Sequence, residues 1–167
     1  MELYLLRHAI AVDRQDFAGE DSERPLTPEG VRKMRRITKG MEAIGLSFDL
    51  IFTSPFRRAQ DTAAIVASHF SVRRRVRLAA ALKPRGSKRA LIAELAALNE
   101  HANGVVLVGH EPYLSTLAAM LVFGRPLAGL NLKKGGLCRL SMEQIRYGRC
   151  AEMDWLLTPR QLMALAA

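Results

Sequence analysis

The chain is 167 residues long, with 49% hydrophobic and 25% charged residues; this excludes a disordered polypeptide and fits one domain spanning 1–167. Lys and Arg number 25 against 16 Asp and Glu, a formal charge of +9, which draws in anions such as phosphate esters, phosphoproteins or nucleic acid. Cys138 and Cys150 form no CxxC pair and have no histidines at ligand spacing, so neither a disulfide framework nor a metal site is expected.

Leu3 to Leu6 is a short apolar run that reads as a buried strand ending at Arg7-His8. It lacks the basic start and long apolar stretch of a signal peptide. Residues 9–25 are polar, contain Gly19 and Pro25, and read as a loop. Thr27-Pro28-Glu29 starts a helix, with a capping hydroxyl, a proline at the first position and an acid at the positive end. The helix is expected to reach about Ile44 and stop at Gly45. A second apolar run covers Asp49 to Thr53, and Ser54-Pro55 is read as cap and first-turn proline of a helix reaching about Phe70. The basic run Arg73-Arg74-Arg75-Val76-Arg77 reads as a charged edge strand. Pro84-Arg85-Gly86 makes a turn, and Ser87 caps a helix ending near Asn99.

Val105 to Val108 is the third apolar run, ending at Gly109-His110, and Pro112 opens a helix to about Phe123. Lys133-Lys134-Gly135-Gly136 reads as a hairpin turn whose lysines steer anions. Gly136–Met142 and Met153–Leu157 are strand candidates, and residues 159–166 a short terminal helix. No run reaches the roughly 18 apolar residues of a membrane span, so a soluble cytoplasmic protein with no membrane partner is expected. Strands alternating with helices predict an α/β fold, a mostly parallel sheet with helices on both faces.

Three apolar runs end in polar residues: Arg7-His8, Ser54-Pro55-Phe56-Arg57-Arg58 and His110-Glu111. Ligands of open α/β sheets bind at the carboxyl ends of the strands, so two imidazoles and at least two guanidiniums are directed to one site. A neutral imidazole is a competent nucleophile toward phosphorus. Guanidiniums match the oxygens of a phosphoryl group, which stays anionic throughout transfer. Positioning and charge then carry the chemistry without a metal or other cofactor. His69 and His101 lie outside these runs and read as surface or packing residues.

Leu6-Arg7-His8-Ala9 resembles the "RHG" signature of the histidine phosphatase superfamily, which includes the phosphoglycerate mutases and acid phosphatases. Arg24 to Gly30, Thr53 to Thr62 and Val108 to Pro112 are similar to that superfamily's successive blocks, in order. The short length and the Arg24-Pro25-Leu26-Thr27 block resemble its SixA branch, the bacterial phosphohistidine phosphatases. The resemblance implies a three-layer, phosphoglycerate mutase-like sandwich. It implies His8 as the phosphorylated nucleophile, Arg7 and Arg58 as phosphoryl clamps and His110 opposite. Arg24 and Glu111 are further candidate substrate contacts.

Ala9 stands where the family usually has glycine, and the inserted region that carries a glutamate acid in mutase-type relatives is missing. Asp21, with Glu20 and Asp13 behind it, is the candidate general acid. A protonated phosphohistidine needs little acid help, so the resemblance favours that substrate, carried by a protein such as a histidine phosphotransfer domain. The alternatives are a small-molecule phosphatase for a sugar phosphate or nucleotide and, from another class, a non-catalytic phosphate- or nucleic-acid-binding module. Nucleic acid is disfavoured because the chain has no zinc-finger, RNP-type or basic-heptad motif.

Overall fold

The computed structural model describes residues 1–98 and 102–166. His101 and the expected helix end near Asn99 lie outside the described residues. β1 (Glu2–Arg7), β2 (Leu50–Thr53), β3 (Val76–Leu78) and β4 (Gly104–Gly109) run parallel, and β5 (Leu137–Ser141) and β6 (Glu152–Leu157) run antiparallel to their neighbours. The sheet order is β3-β2-β4-β1-β5-β6. The helices are α1 (Pro28–Ala43), α2 (Arg57–His69), α3 (Lys88–Ala96), α4 (Tyr113–Phe123) and α5 (Pro159–Leu165).

Successive strand residues point to opposite faces, and both faces of the central strands are apolar. Tyr4, Leu6, Ile51, Val106 and Val108 pack with α1, α2 and α5, while Leu3, Leu5, Phe52, Val105 and Leu107 pack with α3 and α4. This is the expected mostly parallel, three-layer α/β sandwich.

Register sets the position of the site. Arg7 lies opposite Gly109, and Thr53 opposite Val108. The chain therefore leaves β1 at His8, β2 at Ser54 and β4 at His110 on one level of the sheet. Helix starts follow their capping chemistry: Thr27 Oγ1 accepts from the Gly30 N–H at 3.0 Å, and Ser87 Oγ from the Ala90 N–H at 3.1 Å. Gly30 has no room for a side chain, because a Cβ there would stand 2.1 Å from the Ile10 carbonyl oxygen. The start of α1 is thus pressed against the loop that follows His8.

Three local expectations change. α2 begins at Arg57 with Phe56 as its cap residue, so Ser54 is no helix cap and its hydroxyl is used elsewhere. The basic run divides: Arg73–Arg75 form a 3₁₀ turn, and only Val76–Leu78 form the edge strand. Lys133 to Gly136 close a turn through a 2.7 Å bond from the Gly136 N–H to the Lys133 carbonyl, with Gly135 at φ +81. That turn leads into β5 but joins no hairpin; the hairpin is β5–β6, connected through residues 142–151. Short-range composition identifies a turn, while strand pairing across the sheet decides what the turn connects.

Candidate active site

His8 and His110 leave neighbouring parallel strands, and their ring centroids lie 5.2 Å apart. Both are buried, at 7% and 3% exposure, as is Arg58 at 4%. Phe56 closes one side, 5.2 Å from the His110 ring, with the Arg58 guanidinium 5.0 Å from the Phe56 ring centroid.

Hydrogen bonds fix the state of the first imidazole. Nδ1 of His8 lies 2.7 Å from the Ala9 carbonyl oxygen. A carbonyl only accepts, so Nδ1 carries the proton and Nε2 of the neutral ring keeps its lone pair. Nε2 of His110 lies 2.8 Å from Ser54 Oγ, which also accepts from the Phe56 N–H at 3.3 Å. With one proton and a second lone pair left, Ser54 pairs with Nε2 in either tautomer of His110; when it donates to Nε2, the proton of His110 stands on Nδ1. That Nδ1, together with Nε of Arg7 and Nε of Arg58, is buried without a hydrogen-bond partner. Three polar groups left unpaired in one place are costly unless a ligand engages them.

The same burial holds both rings neutral. Desolvation, with the positive charges of Arg58 and Arg7 nearby, pushes His8 down to about 3 and His110 down to about 4. At neutral pH the site therefore combines an uncharged imidazole nitrogen that keeps its lone pair with two guanidiniums. A tetrahedral dianion fits this arrangement.

Asp21 does not stand free as an acid. Its Oδ1 accepts from Arg24 Nε at 2.8 Å, and its Oδ2 and backbone carbonyl accept from the two terminal nitrogens of Arg58 at 3.1 and 2.7 Å. Partial burial pulls its carboxyl upward, but the bonds from Arg24 and Arg58 outweigh this and hold it below the ordinary carboxylate range. Asp13 and Glu20 are exposed. Arg24 also donates to the Val12 carbonyl at 2.6 Å, which ties the loop after β1 to the site. Glu111 turns back onto α4, accepting from the Ser115 N–H at 3.2 Å, and its charge supports that of Arg7.

Three supports escaped the reading of the sequence. Ser54, in the Ser-Pro pattern of a helix cap, is fully buried beside His110. Thr62 accepts from the Ala9 N–H at 3.0 Å and donates to the Arg58 carbonyl at 2.7 Å, joining the loop after β1 to α2. The Leu132 carbonyl accepts from a terminal nitrogen of Arg7 at 2.8 Å, 125 residues away in sequence. Only the first carried a signal, since a serine directly after a strand that aligns with a histidine-ended strand is a candidate partner for that histidine. Among the described residues no group of three or more His, Cys, Asp or Glu side chains is arranged to hold a metal ion, and no helix is long and apolar enough to cross a membrane.

Residues 3–86 match the model of the histidine phosphatase superfamily, branch 1. An uncharacterised protein of Picosynechococcus sp. is 37% identical over 98% of this chain and 99% of its own length. The phosphohistidine phosphatase SixA of Escherichia coli K12 is 29% identical over 74% of this chain and 76% of its own. The fold resembles that of the protein histidine phosphatase SixA complexed with tungstate, with a TM-score of 0.84 and 24% identity, covering 97% of this chain and 99% of that one. With half the chain matched by the family model and a relative aligned along nearly its whole length, the chain belongs to the histidine phosphatase superfamily, in its SixA-type branch.

Proposed function

We propose that this chain is a cytoplasmic, single-domain phosphatase that removes the phosphoryl group from phosphohistidine in a protein, through a phosphohistidine formed on its own His8. One observation carries the reading: His8 holds its only proton on Nδ1, bonded to the Ala9 carbonyl, while its neutral ring shares a buried site with two guanidiniums.

The Nε2 lone pair of His8 attacks phosphorus as the P–N bond of the substrate breaks. A substrate ring protonated on its other nitrogen leaves as neutral imidazole and keeps that proton. Phospho-His8 has the same form, with Nδ1–H still on Ala9, so the first transfer is nearly symmetric in energy. Water then attacks phosphorus, the P–Nε2 bond breaks, the electron pair returns to His8, and the water proton leaves with the phosphate. Arg7, Arg58 and His110 Nδ1–H act on the phosphoryl oxygens through both steps. Asp21 serves as the anion that holds Arg58 and Arg24 in place.

This scheme asks for no general acid. A sugar or nucleotide phosphate ester would ask for one, since an alkoxide leaving group needs a proton and Asp21 is held ionised. Without a large insertion to roof the site, a bulky phosphoprotein can approach. The proposal is tested by comparing a histidine-phosphorylated phosphotransfer domain with sugar phosphates and nucleotides. A kcat/KM at least about 100-fold higher for the phosphoprotein is expected; a ranking in favour of the small esters overturns the proposal.

A further inference from the structure

Beside His8 lies a second concavity that the chemistry above does not use. It has a volume of about 240 Å³; its accessible apolar lining is Ile10, Pro159 and Met163, with the buried Ala9, Met34 and Ile37 behind them. Its rim carries three cations, Lys33, Lys134 and Arg160. Small-molecule sites typically measure about 300–1,000 Å³, so this pocket suits one medium or large apolar side chain rather than a cofactor.

Its position follows from the fold. The Gly135 N–H bonds the Arg7 carbonyl at 3.1 Å and the Arg7 N–H bonds the Gly136 carbonyl at 3.2 Å, so the Lys134 turn is fastened to the residue before the nucleophile. β6 ends at Leu157, opposite Leu137, and α5 then begins at Pro159, so Arg160 lies at the same end of the sheet. Ala9 and Ile10, the two residues after His8, line the pocket, so it borders the loop that follows the nucleophile.

The charges select the occupant. Lys33 is bonded to Glu29 at 2.6 Å. Lys134 and Arg160 are exposed and have no carboxylate partner among the described residues. An apolar floor beneath two unpaired cations is complementary to an apolar side chain with a carboxylate next to it.

We infer that this pocket is a docking subsite for the phosphorylated protein itself, taking an apolar side chain flanked by an acidic residue near the phosphohistidine. The inference rests on the phosphoprotein reading above and adds to it how the protein is recognised. The phosphoryl group would bind between His8 and His110, and the neighbouring segment of the partner would be held by Lys134, Arg160 and the apolar floor.

The test uses a histidine phosphotransfer domain phosphorylated on its histidine and, as a small probe, N-phosphoimidazole. Arg160→Glu should raise KM for the phosphoprotein by about ten-fold with kcat little changed, and leave kcat/KM for N-phosphoimidazole within about two-fold. Met163→Trp, which fills the pocket from another of its lining residues, should have the same selective effect. Arg74→Glu, an equal charge reversal on the exposed turn before the edge strand, controls for long-range steering and should leave both substrates unaffected. Unchanged KM in the pocket variants, equal losses on both substrates, or an equal loss in Arg74→Glu overturns the subsite while leaving the phosphatase proposal standing. Wild-type protein that hydrolyses N-phosphoimidazole but never the phosphoprotein overturns both.

Discussion

Acid should unfold this protein through its active site. In an unfolded chain His8 and His110 each take a proton near the ordinary 6.5, whereas in the folded chain burial and the adjacent guanidiniums hold them neutral down to about 3 and about 4. A folded-state value below the unfolded one means stability that is complete above 6.5 and is lost as pH falls toward the folded values. Each pK unit is worth about 1.4 kcal/mol, so lowering the pH from 7 to 5 costs about 2 kcal/mol per imidazole and about 4 kcal/mol for the pair. That is a large share of the roughly 5–15 kcal/mol that holds a typical domain folded. The window lies above the range where Asp21, whose carboxyl is held low, begins to titrate. Urea unfolding followed by circular dichroism at pH 7, 6 and 5, at constant ionic strength, measures the loss directly. His110→Gln should halve it to about 2 kcal/mol, because one of the two proton-binding sites is then gone. Stability that stays level from pH 7 to pH 5 would mean the imidazoles take up protons in the fold as readily as in the unfolded chain, and stability that rises toward pH 5 would mean they already carry them; either result would refute the neutral nucleophile.

Ser54→Ala removes the hydroxyl bonded to His110 Nε2; it should lower kcat by about 10- to 100-fold with little change in KM and cost about 1–3 kcal/mol in urea unfolding. Arg58→Lys keeps the charge but not the fork that meets both Asp21 and the phosphoryl group; kcat/KM for the phosphoprotein should fall by at least about 100-fold. Asp21→Asn should keep kcat on phosphohistidine within about ten-fold with an unchanged basic limb of the pH profile, while loss of that limb would restore Asp21 as the general acid. Gly30→Ala should destabilise by at least about 2 kcal/mol in thermal or urea unfolding, because the new methyl meets the backbone at Ile10.

The parts of the fold and site that were legible in the sequence have local causes. Leu3–Leu6 and Val105–Val108 read as buried strands because both faces of a central parallel strand are apolar. Arg7-His8 and His110 could be directed to one site because the carboxyl ends of parallel strands lie together. Ser54 was misread because Ser-Pro is a common helix start, and only the alignment of β2 with β4 turns that hydroxyl toward His110. Asp21 resembled a free loop acid because nothing in the spacing of residues 21, 24 and 58 announces that two arginines converge on one carboxylate. The pocket beside Ala9 is built from the loop after β1, α1, the Lys134 turn and α5. No single stretch of sequence contains it.

The central claim is that phosphorus passes through Nε2 of His8. Rapid acid-free quenching of the enzyme with a 32P-labelled histidine-phosphorylated domain, followed by peptide mapping under alkaline conditions, tests it most directly. The label should appear on His8, be acid-labile, and vanish in His8→Ala while that variant keeps its thermal unfolding transition. Label on another residue, or undiminished turnover by His8→Ala, contradicts the account.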